Sequence, residues 1–332
     1  MTHPRLGDVL RETGVPDLVE ILAERLTPPA LEAVLREAHR QRAGRMTPAE
    51  LLTRFERDPY VRPSPVPVSL LATIDRVAFS VAAPRFEPID LSPICPVGTV
   101  SALGPVDPGA ARSAGGASEV VSDCASVLAL ECAFRRRDPE PTGGSVPERV
   151  ELCASHRELH VPFSAPLRSE PHCRVFGLAS AGVDQGLFRF ETEALLGQLD
   201  VHLRLLESLR EEGVTIGLIA LTLFHRAGAD FDRAIRDAVV APLAETFPDV
   251  KMIFAEAHPL GRGYYAPLGF TVTVEDHVEV EHRVGLGGFT DWTRQLLDRS
   301  EERLLVSIIA TERLSEVGME DFPDQLSPLS RP

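Results

Sequence analysis

Apolar residues recur at helical spacing through the first sixty positions. Leu6, Val9 and Leu10, then Leu18, Ile21, Leu22 and Leu26, then Leu31, Val34, Leu35 and Ala38 fall three or four apart, which predicts a series of helices. Thr47-Pro48-Ala49-Glu50 reads as a helix start, with threonine as N-cap, proline at the first position and glutamate at the third. Arg62-Pro63-Ser64-Pro65-Val66-Pro67 breaks the pattern as a stiff linker. Residues 1–67 are therefore expected to form a helical leader that packs against the rest of the chain. Its charged faces are also a place for a partner to dock.

Beyond the linker the pattern changes. A helix is expected from Val68 (Leu70, Leu71, Ile74, Val77, Ala78), then a short proline-stopped strand at Phe86–Pro93 and a mobile Gly/Ala/Ser-rich loop over 106–118. Glu119–Asp123 leads into a helix expected to bury Val127, Leu128, Leu130 and Phe134. Apolar segments 149–155 and 173–181 predict an antiparallel pair joined by a long loop. Leu195, Leu199, Leu203, Leu206 and Leu209 mark a helix over 190–210, and strands at 214–224 and 250–255 flank a helix over 231–246. Alternation over 264–274 and 278–286 suits antiparallel strands. Gly285–Trp292 reads as a Gly-rich strand end and a short helix, followed by a buried strand over 304–309 and a helix opening at Thr311. Helices come early and strands late, so the fold class is α+β, a mostly antiparallel sheet flanked by helices.

Composition narrows the functional classes. The 332 residues carry a net charge of −15, with 44% hydrophobic and 25% charged positions, the profile of a soluble globular protein. That charge argues against a broad nucleic-acid surface; the densest basic run, Arg135-Arg136-Arg137, reads as a solvated helix end. Five cysteines without a CxxC or paired histidine spacing argue against zinc and suit free thiols in a reducing cytoplasm. No secretory pattern and no membrane-length apolar run is present, so a cytoplasmic location is expected.

Several short stretches in order have a familiar look. Phe86-Glu87-Pro88-Ile89-Asp90-Leu91-Ser92-Pro93 resembles motif 1 of the class II aminoacyl-tRNA synthetases, and His156-Arg157 at a strand end before a long loop resembles motif 2. Gly261-Arg262-Gly263-Tyr264-Tyr265 resembles the histidyl-specific Arg-Gly-Leu-Asp-Tyr-Tyr stretch, two residues short. Gly287-Gly288-Phe289-Thr290-Asp291 resembles Gly-Gly-Arg-Tyr-Asp, and Ile309-Ala310-Thr311-Glu312-Arg313-Leu314 resembles motif 3. The chain from about Ile74 to Leu314 is thus similar to the class II catalytic core, most of all to histidyl-tRNA synthetase and the regulatory subunit of ATP phosphoribosyltransferase. The domains expected on this basis are the leader and linker (1–67), a synthetase-like core (68–318) and a tail (319–332).

The resemblance implies ATP and Mg²⁺ as cofactors. Arg157, Arg262 and Arg313 match the catalytic arginines, with Arg157 on the α-phosphate and Arg313 over the nucleotide. A planar guanidinium suits both contacts, because preorganised cations carry phosphoryl chemistry. Glu193 matches an acidic position used with Mg²⁺-ATP, and equally reads as a helix-face carboxylate. Asp123 falls where the family has a glutamate that receives the substrate amino group, and equally reads as an N-cap. Tyr264, Tyr265, Gly287 and Gly288 complete the implied substrate site; away from this alignment the tyrosines are ordinary strand residues. Pro93 implies a homodimer.

Departures accompany the matches. The motif 2 glutamate position falls on Leu159, Phe289 replaces an arginine, and Ala310 replaces a glycine. The 18 or so residues after Arg313 leave no room for an anticodon-binding domain, so ordinary tRNA charging is not expected. Three readings follow. One is ATP-dependent activation of an amino acid or related carboxylic acid, with the acyl group passed to a carrier or small acceptor. Another is a non-catalytic amino-acid- or nucleotide-binding paralogue that regulates a partner enzyme. The third is a dimerisation platform on which the leader is the working part.

Overall fold

A computed structural model describes residues 5–104, 111–137, 147–159, 171–225, 228–255 and 265–318. The expected Arg262, Gly261, Gly263, Tyr264 and the tail 319–332 lie outside them, as does most of the loop after Arg157.

The leader comprises α1 (Leu6–Thr13), α2 (Leu18–Glu20) running into a π-turn at Ile21–Arg25, α3 (Pro28–Ala43) and α4 (Pro48–Arg57). The start of α4 is the expected capping box: Glu50 N–H donates to the Thr47 hydroxyl at 3.3 Å, and Thr47 N–H donates back to Glu50 at 2.9 Å. No side chain from Arg5 to Arg62 is buried. The leader is held to the rest by discrete contacts, among them the Arg112 guanidinium 3.7 Å over the Tyr60 ring.

The core begins with α5 (Val68–Ala82), β1 (Glu87–Pro88), β2 (Ile94–Pro96), α6 (Thr99–Leu103), β3 (Ser113–Gly115), β4 (Ser118–Val120) and α7 (Cys124–Arg137). Strands β2, β4 and β3 form a small antiparallel sheet, so part of the expected mobile loop is ordered hairpin. A hairpin of β5 (Arg149–Leu159) and β6 (His172–Val183) follows, then α8 (Arg189–Glu211) and β7 (Ile219–His225). The expected helix over 231–246 is α9 (Ala229–Ile235) and α10 (Ala241–Thr246) with a π-turn between them, followed by β8 (Lys251–Ala255). The chain then runs through β9 (Leu268–Glu275), β10 (Glu281–Thr290), α11 (Trp292–Leu297), β11 (Glu302–Ile309) and α12 (Thr311–Gly318).

Eight strands make the main sheet in the order β1-β5-β6-β11-β10-β9-β7-β8. The two end pairs, β1 with β5 and β7 with β8, are parallel and the rest antiparallel. One face carries the larger core, where Leu70, Ile74 and Val77 of α5 and the leucine stripe of α8 meet Cys153, Phe176, Leu178, Leu305 and Ile309. The other face packs α7 and α11 against Leu152, Ala154, Val175, Ala179, Val306 and Ile308.

Two expectations about α7 are corrected. Phe134 is 73% exposed, and the buried face is Cys124, Ala125, Leu128, Ala129, Cys132 and Ala133. Small side chains let the helix lie directly on the sheet: a Cβ on Gly177 would stand 2.8 Å from Cys124 Sγ. Arg136 is no solvated helix end either. It is buried with Glu302 in a two-point ion pair (2.7 and 2.9 Å), and also donates to the Pro147 carbonyl at 2.6 Å. All five cysteines are buried free thiols.

Candidate functional site

Side chains along a strand alternate between faces, so the neighbours of β5 decide which residues can share a site. Val150, Leu152 and Ala154 belong to the α7-side core and Cys153 to the α5-side core. Carried forward, this puts Ser155 and Arg157 on the α5 side and His156 and Glu158 on the α7 side. The contacts agree. Ser155 donates to Asp75 of α5 at 2.7 Å, whereas Glu158 accepts the N–H of Cys124 at the start of α7.

Arg157 is consumed on the α5 side. Its Nη1 donates to Glu312 at 2.9 Å and to His172 Nδ1 at 2.9 Å. Glu312 also accepts from the Arg174 amide at 2.6 Å and from the Ser64 hydroxyl. Burial pushes the Glu312 carboxyl up, but Ser64, the Arg174 amide and Arg157 outweigh it and hold the group below its ordinary range. His172 Nε2 lies 2.7 Å from the Arg62 carbonyl, which only accepts, so Nε2 carries the proton and Nδ1 receives the arginine N–H. Arg174, the register partner of Arg157, pairs with Asp75. This network ties the 62–66 linker, α5, the β5–β6 hairpin and α12 together. Arg157 and Asp123 lie on opposite faces of the sheet.

The α7 face carries the other candidates. Asp123 caps α7, its Oδ1 accepting the Ala125 N–H at 3.1 Å and its Oδ2 accepting from the Ser126 hydroxyl. Its charge also reaches Tyr265. Burial pushes the Tyr265 phenol well above its ordinary range, and Asp123 adds to the shift. The close approach that Gly288 permits is made by that tyrosine, for a Cβ there would stand 2.6 Å from Tyr265 Cγ and 2.7 Å from the Leu268 carbonyl. Gly287 faces the opposite side, where Phe270 Cζ and the Val306 carbonyl each lie 2.7 Å from where its Cβ would be. Gly287 is thus where β10 packs closely on Phe270 and β11. His156 stands half-buried on the α7 face; burial lowers its basicity, Asp90 opposes that and Arg174 adds to it.

Glu193 lies elsewhere. It is the fifth residue of α8 and accepts from Arg149 at 3.1 Å. Arg149 and Arg157 are eight residues apart on one strand, about 26 Å. A magnesium ion held by Glu193 therefore does not fit a nucleotide at the far end of β5. Among the described residues no group of three His, Cys, Asp or Glu side chains is placed to hold a metal.

Two residues absent from the sequence expectation belong to the α7 face. Glu158 supplies a carboxylate two positions after His156 on the same face of β5. Extending the alternation of Leu152 and Ala154 would have found it. The other is Arg283 in β10, whose half-buried guanidinium is disfavoured first by burial and then by the charge of Arg313.

No family model matches the chain, and no curated protein matches it in sequence. Solved structures do match in fold. The RNA binding domain of threonyl-tRNA synthetase from Cryptosporidium parvum Iowa II superposes with a TM-score of 0.52 at 11% identity, over 75% of this chain. This chain spans only 62% of that one. Apo histidyl-tRNA synthetase from S. aureus superposes with a TM-score of 0.56 at 10% identity, over 80% of this chain and 74% of that one. An ATP phosphoribosyltransferase regulatory subunit/histidyl-tRNA synthetase from Bacillus halodurans C gives 0.53 at 11% identity, over 79% and 83%. With the eight-stranded, mostly antiparallel sheet flanked by helices, the chain carries a class II synthetase-like core of the histidyl-tRNA synthetase type of fold.

Proposed function

We propose that this chain is a non-catalytic, ligand-binding relative of the synthetase core. It takes a small amino-acid- or nucleotide-type molecule on the α7 face and regulates a partner enzyme. The observation that carries this reading is the commitment of Arg157 to Glu312 and His172 on the opposite face, with His156 on the α7 face where motif 2 spacing calls for arginine. A neutral imidazole is a poor substitute for a fixed cation at a phosphate undergoing attack. In this reading Asp123 takes the ligand's ammonium, Tyr265 lines the site beside Gly288, and Arg313 takes an anionic group. A homodimer through the Phe86–Pro93 segment belongs to the same proposal. It is supported by exposed Ile94 and Val97 beside that segment, and sedimentation tests it.

The deciding experiment is calorimetry with a panel of amino acids and ATP, beside an ATP–pyrophosphate exchange assay. Amino-acid binding without ATP and no exchange is the expected outcome. Exchange above background would overturn it in favour of the second reading, ATP-dependent activation of an amino acid or related carboxylic acid with Mg²⁺. That reading is favoured by the charge of Arg313 reaching the half-buried Arg283, since preorganised cations carry acyl-adenylate formation, and in it Arg262 is a further catalytic arginine.

A further inference from the structure

We infer that the leader is a strap that docks and undocks as one unit, and that a latch at Arg62 and Ser64 sets the balance between the two states.

Burial marks where the strap ends. No side chain from Arg5 to Arg62 is buried, whereas Val66, Leu70, Leu71 and Ile74, just beyond, belong to the larger core. The cost of a local opening follows the apolar contacts that it breaks. Opening the leader is therefore cheap, and it stops at Val66, where the core begins. Contacts within the leader move with it and do not oppose release. Arg40 pairs with Glu37 at 2.6 Å, Asp58 accepts the Tyr60 N–H at 3.0 Å, and the Arg62 guanidinium lies 4.9 Å over the Phe55 ring.

The latch lies at the C-terminal end of the strap. Among the described residues, the hydrogen bonds that cross to the core there run from the Ser64 hydroxyl to Glu312 and from His172 Nε2 to the Arg62 carbonyl, the latter at 2.7 Å. One nitrogen sets both partners, for Arg157 Nη1 donates to Glu312 and to His172 Nδ1, each at 2.9 Å. Accepting at Nδ1 leaves the proton on Nε2, facing the carbonyl. Arg157 thus positions both halves of the latch. The strap is also held at the β3–β4 hairpin. There Arg112 stacks over Tyr60 at 3.7 Å, and Glu32 of α3 packs on Gly116, where a Cβ would stand 3.1 Å from the Glu32 Cβ. Neither contact buries the leader's side chain. A leader with two positions presents a partner with two different surfaces.

Hydrogen exchange on the full chain, read by mass spectrometry at neutral pH without ligand, tests the latch. Helices as short as α1 and α4, 8 and 10 residues, do not protect their amides in isolation, so an undocked leader exchanges. In wild type, α3 and α4 should exchange together and faster than α8 and β11. Ser64→Ala and Arg157→Gln should speed exchange throughout α3 and α4 about tenfold, and His172→Gln less, with α8 and β11 unchanged. Glu37→Gln, inside the strap, should alter α3 alone. The latch is overturned by leader exchange as slow as that of α8 in wild type, or by acceleration in Ser64→Ala that is confined to the linker or shared by α8 and β11. It is also overturned if Glu37→Gln matches Ser64→Ala across α4. No ligand is present in these measurements, so they stand apart from the amino-acid-binding reading, which calorimetry decides.

Discussion

Arg157 and Glu312 meet at 2.9 Å on the α5 side of the sheet, and Glu312 is simultaneously bound by Ser64 of the linker. Glu312→Ala leaves a part-buried guanidinium without its carboxylate and frees the linker, and should cost about 2 kcal/mol, below a fully buried pair because Arg157 is 32% exposed. Urea denaturation measures it. Ligand binding on the α7 face should survive the change.

The same pair has a pH signature. The folded-state pKa of Glu312 lies below its unfolded value near 4.5, so between them the unfolded chain binds more protons. Its contribution is complete above about pH 4.5 and disappears as pH falls through the folded pKa. Glu312→Gln should flatten the stability curve in that acid window and leave it unchanged near neutrality, apart from a uniform offset.

His202 acts in a different window. It is fully buried in α8, with Nε2 2.8 Å from the Ser307 hydroxyl, which itself donates to Gln198 at 2.7 Å. Burial lowers its pKa from 6.5 to about 4. Stability from this neutral imidazole is whole above pH 6.5, falls with acid at up to about 1.4 kcal/mol per pH unit, and levels off below 4, roughly 3 kcal/mol in all. Chemical denaturation at pH 7, 6 and 5 should show that slope in the wild type. His202→Gln should remove it.

Arg136 and Glu302, each 1% exposed, join the last turn of α7 to the first residue of β11. Arg136→Met alone strands a buried carboxylate and should cost about 3–5 kcal/mol. The double change Arg136→Met with Glu302→Leu should recover much of that loss. Thermal melting of the two single variants and the double variant gives the comparison, and purely additive losses would contradict a coupled pair.

Gly288→Ala would force its methyl against Tyr265 Cγ and the Leu268 carbonyl. The carbonyl is fixed by the ladder, so the tyrosine must move. A loss of about 1–3 kcal/mol is expected, with weaker ligand binding if Tyr265 lines the site. A melting curve together with calorimetry separates the two effects.

The sequence by itself determined the kinds of element and their order. The leucine stripe of α8, the capping box at Thr47, the Pro-rich linker and the apolar runs of β5, β6 and β11 are local patterns, and local backbone physics enforces them. Even the synthetase-like fold was legible, because it resides in the succession of such pieces. Tertiary structure alone decided which side chains meet. In a strand a shift of one residue moves a side chain to the other face, and the chain of contacts from Asp75 to Ser155 and from Cys124 to Glu158 fixes that phase. Arg157 is thereby assigned to the Glu312 network, and His156 with Glu158 to the opposite face. Long-range packing likewise buried Arg136 and exposed Phe134, since small residues on α7 let the helix settle onto Gly177.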